Sequence, residues 1–241
     1  MSENGCTVVI GGAGGVGRAL LERLGADVPV VVASRNPEGH SDLDAESVEC
    51  DARELDAVDE LLAGATERHG AVTGLVNLAG SILLKPAHLI SEKEWHETIA
   101  TNLTTAFATV RAAGKHMRGG GSVVLVSTVA AATGLPNHEA IAAAKAGIEG
   151  LGRSAAATYA ARGLRFNVVA PGLVDTPLAK RITSSEKTLE VSRKMHPLGR
   201  IGVPGDVAEA IHFLLSDHSD WITGLVLGID GGLGATRAGA V

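Results

Sequence analysis

The sequence predicts an α/β fold: one doubly wound domain with a mostly or wholly parallel, seven-stranded sheet flanked by helices. Three observations predict it. Short runs rich in β-branched residues alternate with longer segments of helical period, the pattern of strand–crossover–strand units. The runs are nearly continuously apolar, as expected of strands covered on both faces. A glycine-rich stretch, Gly11-Gly12-Ala13-Gly14-Gly15-Val16-Gly17, separates the first run from the first helical segment.

The runs cover residues 7–10, 28–33, 47–50, 74–78, 122–127, 165–169 and 225–229. Between them, Leu55, Val58, Leu61, Leu62 and Ala65 repeat at helical spacing. Val207, Ile211, Leu214 and Leu215 do so after Pro204-Gly205-Asp206. From Pro171 to Pro204 no strand interrupts the chain, and a structureless loop of that length is uncommon in a packed domain. A partly helical lid is therefore expected over 173–202, with a helix at 185–195. No internal repeat or low-complexity linker divides the chain, so residues 1–241 are expected to form a single domain.

Composition narrows the function classes. Hydrophobic residues make up 45% and charged residues 20% of the 241 positions, which fits a packed globular chain. The formal net charge of -6 gives no electrostatic reason to bind nucleic acid or an anionic membrane. No apolar run approaches the ~18 residues of a membrane span. The first residues lack the basic region of a secretory signal. Two cysteines, Cys6 and Cys50, form neither a disulfide framework nor a metal-site spacing, so a reducing, cytoplasmic setting is expected. With 2 Trp, 1 Tyr and 3 Phe, the core must be aliphatic and alanine-rich.

The glycine-rich stretch is placed to bind phosphate. It lies between a strand and a helix, where glycines permit a tight turn and let backbone N–H groups approach a pyrophosphate. It satisfies G-x-G-x-x-G from Gly12, Gly14 and Gly17, and G-x-x-x-G-x-G from Gly11, Gly15 and Gly17. After the second run come Ser34-Arg35-Asn36, where an NAD site would carry an acid for the ribose hydroxyls. A guanidinium suits a 2′-phosphate instead, so Ser34 and Arg35 favour NADP(H) over NAD(H).

Further landmarks follow in order: Asp51-Ala52, Asn77-Leu78-Ala79-Gly80, Asn102-Leu103, Ser127-Thr128, Lys145, Pro171-Gly172-Leu173-Val174-Asp175-Thr176 and Asp230-Gly231-Gly232. Together with the glycine-rich turn they resemble the short-chain dehydrogenase/reductase family over roughly residues 5 to 234. The resemblance implies a Rossmann-type domain. It also implies that Gly11, Gly15, Val16 and Gly17 hold the pyrophosphate, and that Asp51 and Ala52 meet the adenine. Asn77, Ala79 and Gly80 would shape the ribose side of the cleft. Pro171, Gly172, Val174 and Thr176 would line the nicotinamide end. Ile10 and Leu78 stand where the family has Thr and Asn, mild departures that touch sheet support more than cofactor contact.

The resemblance further implies a Tyr-x-x-x-Lys pair, with a serine thirteen residues before the tyrosine. The hydroxyl protonates a carbonyl oxygen, and the lysine one helical turn on lowers its pKa and binds ribose. Here Lys145 matches, Ile141 occupies the tyrosine position, and Thr128 occupies the serine position with Ser127 beside it. Asn102 matches the family's proton-relay asparagine. Tyr159 is about 27 Å further along a helix at ~1.5 Å per residue and cannot substitute. Three readings stand. One is an oxidoreductase acting on a small carbonyl or conjugated substrate with another proton source, such as Thr128 with water, or His138, three residues before Ile141. Another is a non-redox isomerase or lyase using the same cleft. The third is a weakly catalytic, nucleotide-binding partner subunit.

Other chemistries lack their motifs. His138-Glu139 begins H-E-x-x-H, but Ala142 stands at the second histidine position. Gly120-Gly121-Ser122 is no nucleophile elbow, and the nine histidines are scattered, so no metal is expected. Lys85, Lys180 and Arg181, in the expected substrate region, could meet an anionic group. The resemblance suggests a homo-oligomer, tetramer or dimer; small residues in 142–161 also suit a related subunit, or packing on the sheet.

Overall fold

Alternate residues along the central strands are sent to opposite faces, and both faces are buried. In the computed structural model, which describes residues 5–25, 28–37, 43 and 45–236, Val8 packs into one apolar core and Val9 into a second. Leu75 and Val76 divide in the same way, as do Val123 and Val124, and Val168 and Val169. A strand between two cores has no face left for polar residues, hence the apolar runs.

The strands are β1 (Cys6–Ile10), β2 (Val30–Ser34), β3 (Glu46–Glu49), β4 (Val72–Asn77), β5 (Gly121–Val126), β6 (Leu164–Pro171) and β7 (Val226–Ile229). They form one sheet in the order β3-β2-β1-β4-β5-β6-β7, every neighbouring pair parallel. The first core holds α2 (Leu55–His69), α4 (Thr105–His116) and α5 (Glu139–Tyr159). The second holds α1 (Gly15–Leu24) and α8 (Pro204–Leu215). The chain order reverses between β1 and β4, so their carboxyl ends open a crevice, the usual ligand site of such sheets.

Three local features depart from expectation. β3 alternates half-buried and exposed residues; it is an edge strand, so only one of its faces meets a helix, where Glu46 pairs with Arg68 and His69 of α2. β2 begins at Val30, two residues later than expected. Asn102 lies in a π-helical turn, Ala100–Thr104, between α3 (Glu92–Ile99) and α4; such one-turn bulges recur at functional sites.

The stretch expected to form a lid is helical in part: α6 (Lys180–Thr183) and α7 (Glu186–Met195) lie in it, with the Ser185 hydroxyl accepting from Thr188 N to cap α7. On α5, Ala143, Ala146, Gly150 and Ala157 are exposed, whereas Ala156 is buried and a Cβ on Gly147 would lie 3.0 Å from Leu103. Tyr159, at the far end, packs its ring on Phe166 at 5.5 Å and takes no part in the site.

Candidate active site

The glycine-rich turn is built by close approach. Gly11 has φ +78°, in the left-handed region, and a Cβ there would lie 2.9 Å from Ala79 N. A Cβ on Gly17 would fall 2.2 Å from Gly12 O, so that glycine sets helix–strand packing. Gly15 lies against the Thr176 methyl, at 3.2 Å for a Cβ. Gly14 caps α1 and has no side chain to satisfy the first-turn N–H groups. Those donors border a cavity of about 620 Å³. A bare helix N-terminus behind a turn whose Gly11 and Gly17 leave no room for a Cβ suits a pyrophosphate.

The same cavity gathers most of the expected residues: Gly11, Gly15, Val16, Gly17, Gly80, Asn102, Thr128, His138, Lys145, Pro171, Gly172, Val174 and Thr176. Ser34, Arg35, Asp51, Ala52, Asn77 and Ala79 are not on its wall. Arg35 is exposed after β2, close enough to Asp51 for its charge to help hold that carboxyl below its usual range, behind the dominant hydrogen bonds from Arg53. Asn77 is consumed internally: Nδ2 donates to Thr109 Oγ1 at 3.0 Å, and Oδ1 accepts from Ala79 N at 2.9 Å. It fixes the turn while Leu78 and Gly80 face the cavity.

Lys145 is buried on α5, and its Nζ donates to Val126 O at 2.9 Å. Burial alone pushes its pKa down to about 8. Asn102 Oδ1 accepts from Ser81 N at 3.2 Å, and its Nδ2 donates to Ser81 Oγ and Thr98 O. Asn102 and Lys145 meet across Gly80, where a Cβ would sit 3.0 Å from Oδ1 and 3.4 Å from Nζ. The Thr128 hydroxyl is loosely held, with 3.4 Å to both Pro171 O and Ala130 N. The Ser127 hydroxyl is held more firmly, 2.9 Å from the Glu149 carboxylate.

Ile141, one turn before Lys145, is buried in the cavity wall. His138 precedes the first residue of α5 and caps it without a side-chain bond, and Asn137 before it has φ 65°. His138 Nδ1 donates to Pro136 O at 2.7 Å, which leaves Nε2 for another partner.

The lid supplies what the sequence reading missed. Thr188, Val191, Ser192 and Met195, spaced as one face of α7, line the cavity with Leu178 and Ile182; that spacing was the available signal. His196 was also missed. It is buried, with Nδ1 donating to Ser192 O at 2.6 Å and Nε2 accepting from Leu173 N at 3.3 Å. It fastens the end of α7 to the segment after β6. Lys85, Lys180 and Arg181 do not line the cavity; Lys85 instead pairs with Glu94 at 2.8 Å.

Residues 11–234 match the profile of the family described as Enoyl-(Acyl carrier protein) reductase. The chain is 37% identical to cis-4-hydroxycyclohexanecarboxylate dehydrogenase of Sinomonas cyclohexanicum, over 93% of this chain and 94% of that protein. It is 32% identical to the 3-oxoacyl-(acyl-carrier-protein) reductase FabG of Thermotoga maritima, over 96% and 98%. Among solved structures, levodione reductase superposes with TM-score 0.91 at 28% identity, covering 98% of this chain and 100% of that one.

Proposed function

The chain belongs to the short-chain dehydrogenase/reductase family, and from that premise we propose that it is an NADP(H)-dependent oxidoreductase acting on a small carbonyl or conjugated enone with a proton donor other than a phenol. The observation that carries this reading is the joining of the bare α1 N-terminus and the buried Lys145 ammonium in one cavity. Gly11, Gly15, Val16 and Gly17 would hold the pyrophosphate, Lys145 the ribose beside the nicotinamide, and Ser34 and Arg35 the 2′-phosphate. Asp51 and Ala52 would flank the adenine. When bound, the nicotinamide cofactor supplies or accepts the hydride.

The protein's own groups handle the oxygen. Thr128 can turn its loosely held hydroxyl toward a developing oxyanion. His138 in its protonated form presents Nε2–H, with Nδ1–H already fixed by Pro136 O. It would pass that proton to the oxygen and regain one from solvent, since it is partly exposed. Asn102 acts as a positioning residue, pinning Ser81 and with it Gly80, which lies beside Lys145.

The buried Ile141 side chain favours one second reading, a nucleotide-binding partner subunit with little catalysis. Calorimetry with NADPH and NADH, followed by turnover on a carbonyl and enone panel, separates the two. We expect NADPH to bind at least 10-fold tighter, about 1.4 kcal/mol, and Arg35→Asp to erase that preference. Binding without turnover moves the assignment to the partner subunit. Absence of binding at millimolar nucleotide overturns both.

A further inference from the structure

We infer that the substrate end of the cavity takes an uncharged, lipophilic molecule and discriminates against carboxylates. The inference rests on the oxidoreductase reading for the identity of the other end. Ile82 and Leu84 from one loop, with Leu178, Val191 and Met195 from the lid, all line the cavity. All five are exposed, between 38% and 55%. Large apolar side chains gathered at one opening mark a surface that a ligand covers.

Charge points the same way. Of the described residues on the wall, only His138, Lys145 and His196 are ionisable. His196 has both ring nitrogens engaged within the protein. Lys145 Nζ is turned to Val126 O beside Gly80, at the end assigned to nucleotide. The lid cations lie off the wall, and Lys85 is neutralised by Glu94. A carboxylate entering past these apolar side chains would lose hydration, and the one remaining wall cation, protonated His138, is already assigned to the reacting oxygen. A bare ketone or alkyl-substituted enone loses no such hydration and covers the apolar rim. This separates the chain from its relative named for a hydroxy acid.

The test uses the full chain, with and without NADPH, and the neutral dye Nile red. A cyclohexanone bearing an alkyl group and the same ketone bearing a carboxylate compete for the dye. The alkyl ketone is expected to displace dye on the order of 100-fold more effectively. The double variant Leu178→Lys with Val191→Lys changes two exposed positions, and it should reverse much of that ratio. Equal or better displacement by the carboxylate, an unchanged ratio in the variant, or no saturable dye binding would each overturn the inference. Nucleotide affinity is measured separately by calorimetry, so failure of the cofactor reading stays distinguishable from failure of this one.

Discussion

Position 141 decides which proton chemistry the cavity wall can perform. An isoleucine one turn before Lys145 supplies packing and no hydrogen. Ile141→Tyr adds a hydroxyl at the cavity side of a wall that already holds Thr128 and Lys145. On the proposed reading, carbonyl reduction should rise roughly 10²- to 10⁴-fold in kcat/KM. The larger ring should cost about 1–3 kcal/mol of stability at most, since it opens onto empty volume. Steady-state kinetics and a denaturant melt check both; unchanged kinetics with intact nucleotide binding would support the partner-subunit reading. At this scale the sequence was informative where a residue type has one use. Gly11 and Gly17 could be read as a cradle because only glycine fits φ +78° or tolerates a carbonyl 2.2 Å from its Cβ position. Asn77 and His196 could not be sorted that way, because a polar side chain serves fold or ligand equally well until its partners are known.

The lid shows the same division between elements. Its helix was legible from the length of the stretch alone, but the face α7 presents to the cavity depends on how the lid docks. That docking runs through His196, whose ring joins Ser192 O to Leu173 N. His196→Ala leaves the Leu173 N–H without its acceptor in a part-buried place, a loss of about 1–3 kcal/mol. The lid should loosen while the glycine-rich turn, on another element, stays intact. We expect KM for the substrate to rise about 10-fold, or ~1.4 kcal/mol, with NADPH affinity within twofold, and faster hydrogen exchange across α7. Gln, which can still offer an acceptor and a donor, should recover part of the effect. Equal losses in substrate and nucleotide affinity would mean that His196 supports the whole cleft.

For the molecule as a whole, alternation of runs and helices indicated a parallel sheet, yet the order β3-β2-β1-β4-β5-β6-β7 was not legible in it. Strand neighbours are chosen by crossover packing, which no local pattern records. The two buried cores built on that order have a consequence in alkali. Burial lowers the Lys145 pKa from 10.5 to about 8. It raises the thiols of Cys6 and Cys50 from 9.0 to about 11, with Glu46 and Asp51 respectively adding to the shift. Between pH 8 and 10.5 the folded chain binds fewer protons at Lys145 than the unfolded chain, so that group makes stability rise with pH. Between pH 9 and 11 the folded thiols hold protons that the unfolded thiols lose, so they make stability fall. The two effects oppose each other around pH 9 and should give a shallow stability maximum there. Lys145→Met removes the rising term and leaves the thiols. Under reducing conditions its urea-unfolding free energy should decline steadily from about pH 8, and the native chain should gain about 1 kcal/mol relative to it between pH 7.5 and 9. Parallel curves for the two proteins would mean that Lys145 keeps its ordinary pKa in the fold. In that case the ammonium would be fully charged when it meets the proposed ribose, and its burial would have no part in tuning the site.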